Sequence, residues 1–181
     1  MQKIVLTFGV IAGLIVSGMM VLTMTVFDSL VNWDNGMVIG YATMLAAFLL
    51  IYFGVRSYRD NVAGGSVKFG RAFVVGALIA VVASAMYTAT WQVIYHNFKP
   101  DYIEKYQEYQ MTSARDKGAS QAELDKMQAE MATFAEQYKN PLVNVAYTML
   151  EILPLGLLIS VVCAGVLSRK RRLGGSSVVH A

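Results

Sequence analysis

PLVNVAYTMLEILPLGLLISVVCAGVL, residues 141–167, followed at once by Ser168-Arg169-Lys170-Arg171-Arg172, decides the fold. A hydrocarbon core roughly 30 Å thick takes about 20 predominantly apolar residues in a helix rising 1.5 Å per residue. This run meets that length with Glu151 as its one charged residue, and it ends in four consecutive basic residues. Working outward, three more runs qualify: 4–27, 37–55 and 72–98, none of them carrying Asp, Glu, Lys or Arg. The reading is an all-α chain, a four-helix transmembrane bundle.

Composition agrees. The chain has 181 residues, 56% hydrophobic and 15% charged, with a mean hydropathy of +0.48. A soluble domain carries about 25% charged residues, so an ordinary soluble domain and a disordered chain are both excluded. Cys163 is the sole cysteine, so no intrachain disulfide exists. The first run follows Lys3 but exceeds the roughly 7–15 apolar residues of a secretory signal, and no A-x-A-like cleavage site follows it. It is read as a retained first span.

Lys and Arg in short loops mark the cytoplasmic side. Residues 28–36 hold two acids and no Lys or Arg, whereas the loop after span two holds Arg56, Arg59, Lys68 and Arg71 against Asp60. Residues 98–140 hold six basic and eight acidic residues. The topology read from this pattern puts both termini in the cytoplasm, with 28–36 and 98–140 outside. For a bacterial inner (plasma) membrane protein the outside is the periplasm.

The long outer segment reads as structure. Leu124, Met127, Met131, Phe134 and Tyr138 are spaced 3, 4, 3 and 4, a seam along one helix face. Ser120 and Glu123 form a capping box at its start, and Gly118 ends the preceding helix. That helix carries its own stripe of Tyr102, Tyr106 and Tyr109. The expectation is a periplasmic helical hairpin over 101–139, inserted between spans three and four, with the tyrosine stripe packed on the seam. The stripe, with Met127, Met131 and Phe134, is the candidate protein interface. The membrane domain is taken as 1–172, and 173–181, with Gly174-Gly175-Ser176-Ser177, as a disordered cytoplasmic tail.

The runs GMVIGYATML (36–45), FGVRSYRDN (53–61), GGSVKFGRAF (64–73), YKNP (138–141) and EILPLGL (151–157) resemble bacterial integral membrane proteins of the domain of unknown function 4199 family. The resemblance covers about residues 1–170 in order and spacing. It implies a four-span inner-membrane protein and carries no activity with it.

Glu151 is the first candidate for chemistry, because an ionised carboxylate near the bilayer centre costs at least about 2.5–3.5 kcal/mol. It lies ten residues into span four, roughly 15 Å from the outer end. Tyr87 and Thr88 on span three sit at a similar depth, Tyr147 is one turn away, and Pro154 frees the carbonyl of Leu150. These residues define a candidate intramembrane polar site for a proton, a cation or a ligand headgroup. The plainer reading, and the favoured one, is a neutral carboxyl hydrogen-bonded between helices as packing glue. With no second acid in a span, a carboxylate pair or metal cage within one chain is excluded.

GGSVKFGRAF, with Lys68 and Arg71, lacks P-loop spacing. Together with Arg56 and Arg59 it is a candidate contact for anionic lipid headgroups, or simply a turn that sets topology. Small residues recur every fourth position at Gly76, Ala80, Ser84 and Thr88, and at Gly156, Ser160, Ala164 and Ser168. Gly9 with Gly13, and Gly36 with Gly40, add two close-packing pairs. His96 belongs to an aromatic belt, Cys163 is inert, and no catalytic triad, metal set, cofactor motif or nucleic-acid patch is present.

Two functions follow from these features. The first is a non-enzymatic structural or accessory protein of the inner membrane, meeting a second copy or a membrane-complex partner through its hairpin. The second is a small oligomeric transporter, or a lipid- or small-molecule-binding membrane protein, using Glu151.

Overall fold

The structure is a computed structural model that describes residues 1–26 and 33–168. Six α-helices follow in order: α1 (Gln2–Val21), α2 (Trp33–Asn61), α3 (Phe69–Asn97), α4 (Tyr102–Asp116), α5 (Gln121–Tyr138) and α6 (Pro141–Leu167). Among the described residues there is no strand. α1 continues into a π-helical turn, Leu22–Val26. The threonine hydroxyls account for the widening: Thr23 Oγ1 donates to the carbonyls of Met19 (2.9 Å) and Met20 (3.1 Å), and Thr25 Oγ1 to that of Val21 (2.6 Å). Hydroxyls that compete for helix carbonyls loosen the backbone ladder locally.

Four of the helices, spanning 2–26, 35–61, 69–97 and 141–167, are long and apolar enough to cross a membrane. Their outward faces are apolar too: Leu14 is 59% exposed, Leu49 62% and Leu150 66%. Such surface is at home in lipid, not in water. This is the make-up of a multi-pass membrane protein.

α3 packs along α1, α6 and α2, while α2 also touches α1 and α6. The four spans therefore form a rhombus with α2 and α3 across its short diagonal. Its core runs through Phe48, Ile51, Val55, Val75, Ile79 and Ile152, all fully buried. The small residues decide how closely the helices approach. A Cβ on Gly76 would meet Ser160 Oγ at 2.9 Å, and one on Gly156 would meet Ala80 Cβ at 2.7 Å, so the stripes of α3 and α6 interlock within the chain. Gly9 likewise lies on Val82 of α3, at 2.7 Å from a built Cβ.

The second glycine pair departs from expectation. A Cβ on Gly40 meets nothing within 4 Å, and no described residue of α2 before Met44 is buried. α2 also begins earlier than the apolar run, at Trp33, and extends past it to Asn61. Polar termini carry no hydropathy signal, yet they continue the helix.

α4 and α5 form the helical hairpin, joined at Gly118, whose φ of +83° suits glycine alone among common residues. The capping box is present: Ser120 N–H donates to Glu123 Oε2 at 2.8 Å, and Glu123 N–H to Ser120 Oγ at 3.4 Å. The backbone N–H and the hydroxyl of Ser120, both donating to Glu123 Oε2 at 2.8 Å, hold that carboxyl below the usual carboxylate range. On α5, Leu124 and Tyr138 are buried and Met127, Met131 and Phe134 half-buried, as the seam requires. The basic run 169–172 and the tail 173–181 lie outside the described residues, as does 27–32.

Candidate functional site

At the hairpin end of the bundle, α1, α2, α3, α6 and the hairpin line a cavity of about 700 Å³. Drug-sized ligands occupy pockets of about 300–1,000 Å³. Its deep end is lined by Val16, Met20, Met44, Tyr87, Thr148 and Glu151. Glu151 is exposed and lines the cavity. Tyr87 of α3 lines the same cavity across the α3–α6 interface. Tyr87 and Glu151 thus line one cavity, and the carboxyl expected to be sealed between helices faces open space.

Of the other residues expected at this site, Tyr147 lines the cavity and stacks edge-on against Phe134, with ring centroids 5.1 Å apart. Thr88 and Pro154 do not line it. Thr88 is buried, its hydroxyl without a hydrogen-bond partner, and Pro154 stands exposed on a helix that continues unbroken through it. The reason is rotational: Thr88 follows Tyr87 by 100° of helix, and Pro154 follows Glu151 by three residues on a face turned away from α3. About two turns from Glu151 towards the hairpin, Gln92 Nε2 donates to Asn144 Oδ1 at 2.6 Å, a polar tie between α3 and α6.

The outer walls are aromatic. Trp33 touches three tyrosines of α4 at once, with centroid separations of 5.1 Å to Tyr102, 5.4 Å to Tyr106 and 5.8 Å to Tyr109. Trp91 meets Tyr102 edge-on at 4.8 Å, and its Nε1–H donates to Tyr138 Oη at 2.9 Å. The expected packing of the tyrosine stripe on the α5 seam is therefore corrected. The stripe turns toward Trp33 and the cavity, because an aromatic partner at the start of α2 offers more ring surface than the seam's flexible methionines. Burial raises the phenol pKa of both Tyr102 and Tyr138 above the usual value, keeping them protonated donors. The π-helical turn supplies a further stretch of wall through Thr23 and Met24. Such turns recur at functional sites.

At the other end of the bundle, the headgroup candidates divide. Arg59 forks onto Asp60, with Nε to Oδ1 2.7 Å, and Arg56 Nε approaches Asp60 Oδ2 at 3.6 Å. Lys68 and Arg71 are exposed at the start of α3. His96 stacks on Tyr95 at 5.3 Å, and Cys163 is buried. Among the described residues no cluster of three or more His, Cys, Asp or Glu is placed to hold a metal ion.

The family described as protein of unknown function (DUF4199) matches residues 7–169. The chain belongs to this family. No curated protein and no solved structure matches it. What a DUF4199 chain does must therefore be argued from its own cavity. The features that build that cavity and escaped the sequence reading are Trp33, Met20 and Met44, while Gly40 was read as a close-packing residue. Trp33 sits in a polar turn by composition, and the methionines read as ordinary core.

Proposed function

We propose that this protein is a non-enzymatic, small-molecule-binding protein of a bacterial inner membrane, holding its ligand in the cavity between the outer halves of the spans and the hairpin. One observation carries the reading. Glu151, the Tyr102, Tyr106 and Tyr109 stripe, and both tryptophans of the chain line one cavity of about 700 Å³. A carboxyl used only as glue has no need of an open, aromatic-walled space in front of it. The same geometry draws support away from the partner hypothesis: the candidate interface tyrosines and Phe134 are engaged in ring contacts within the chain. Charge in the loops supports an orientation with the termini in the cytoplasm and the hairpin in the periplasm.

The test uses the two tryptophans, Trp33 and Trp91, as built-in reporters. A neutral apolar probe, N-phenyl-1-naphthylamine, is titrated into the purified full chain in maltoside detergent while tryptophan emission is followed. Saturable quenching is expected in the wild type. Gly40→Phe fills the cavity from a position where a side chain meets nothing, so it keeps the fold and abolishes the quenching. Equal quenching in a folded Gly40→Phe variant overturns the reading.

A further inference from the structure

We infer that the cavity selects a lipophilic organic cation, its positive centre set against Glu151 and its apolar body against the aromatic walls. This rests on the ligand-binding reading above and adds the chemical class of the ligand. Three observations carry it. Among the described residues lining the cavity, Glu151 is the only acid, and no basic residue lines the deep end beside it. An anion there meets a carboxylate with no compensating charge, and a neutral hydrocarbon leaves the carboxyl facing an apolar surface.

The second observation is the kind of wall. Trp33, Trp91, Tyr87, Tyr102 and Tyr106 present π-faces and edges to the cavity, and the negative face of an aromatic ring attracts a cation, most strongly for tryptophan. The third is size and softness. About 700 Å³ far exceeds an inorganic ion, and Met20, Met24 and Met44 make a pliable apolar lining of the kind that accepts ligands of varied shape. Lys99, Lys105 and Lys117 belong to the hairpin end, and Lys105 Nζ lies 2.7 Å from Asp101. The positive charge of the lining is thus segregated from Glu151.

A free lipophilic cation and an amine-bearing lipid headgroup share this chemistry. The probes are tetraphenylphosphonium and its size-matched anion tetraphenylborate, titrated into the full chain in neutral detergent with tryptophan emission as the readout. The wild type is expected to bind the cation at least about ten-fold more tightly than the anion, and Glu151→Gln to remove most of that preference. Trp33→Leu, which keeps apolar bulk and loses the π-face, weakens the cation roughly three- to thirty-fold. Displacement of tetraphenylphosphonium by dodecyltrimethylammonium marks the free cation as the source, and displacement by lysophosphatidylcholine alone marks a lipid.

A wild type without charge preference, or a Glu151→Gln variant with cation affinity within about two-fold of wild type, overturns the inference. The neutral naphthylamine probe separates the two levels. If it binds and is blocked by Gly40→Phe while the cation shows no preference, this inference alone fails; if neither enters, the cavity reading fails with it.

Discussion

Gly156 and Gly40 are both small residues in membrane spans, and the structure assigns them opposite consequences. A Cβ on Gly156 comes within 2.7 Å of Ala80 Cβ and 3.0 Å of Phe48 Cζ. Ala80 Cβ is fixed to the α3 backbone and cannot rotate aside, so Gly156→Ala must push α6 from α3 by several tenths of an ångström. Overpacking of this kind costs about 1–3 kcal/mol. Gly40→Ala meets nothing within 4 Å and gains helix propensity, roughly 0.8–1 kcal/mol on scales measured in water. The propensity gain is common to both helical positions, so the two variants should differ by about 1–3 kcal/mol, the overpacking cost, with Gly156→Ala the less stable. Loss of helical circular dichroism on titration with a denaturing detergent measures the difference. Gly165→Ala is the internal control, because a Cβ there, on the same helix as Gly156, meets nothing within 4 Å. A Gly156→Ala protein as stable as Gly40→Ala would refute the interlocked α3–α6 packing.

Trp91→Phe removes the 2.9 Å bond to Tyr138 and should destabilise the chain by about 0.5–1.5 kcal/mol in the same titration. Ser120→Ala should cost about 0.5–2 kcal/mol, seen as faster amide exchange in the first turn of α5 with the spans unaffected. Because Glu123 is held below its ordinary pKa by Ser120, its share of hairpin stability is present above the unfolded-state value and lost as pH falls through the lower folded value. Amide protection at the start of α5 should therefore drop only in acid, and Glu123→Gln should flatten that dependence. Reporter fusions at residue 120 are expected to read as periplasmic and fusions after Arg172 as cytoplasmic; a cytoplasmic signal at 120 inverts the proposed orientation.

Much of this molecule was legible in one dimension. Apolar runs longer than a bilayer is thick, the capping box at Ser120, the seam from Leu124 to Tyr138 and the lone charge at Glu151 depend on spacing along a single helix, which sequence records directly. The depth match between Tyr87 and Glu151 was also recoverable, because two spans leaving the same membrane face count residues from a shared origin. Helix rotation was not recoverable. Thr88 and Tyr87 are neighbours in sequence at almost equal depth, and only the angle at which α3 meets α6 sends one into the cavity and the other into the helix interface.

Glycine spacing is equally silent: Gly9-x-x-x-Gly13 packs on α3, while Gly36-x-x-x-Gly40 borders open space. Whether a small residue marks contact or emptiness depends on what the facing helix brings to it. The tyrosine stripe turned from the α5 seam to Trp33 for the same reason, since a ring partner some 70 residues away leaves no periodic trace in either segment. Sequence fixes what each helix can bury and how deep each group lies. The rotation and splay of the helices, set by the sum of all their side-chain contacts, decide that Glu151 faces an aromatic cavity.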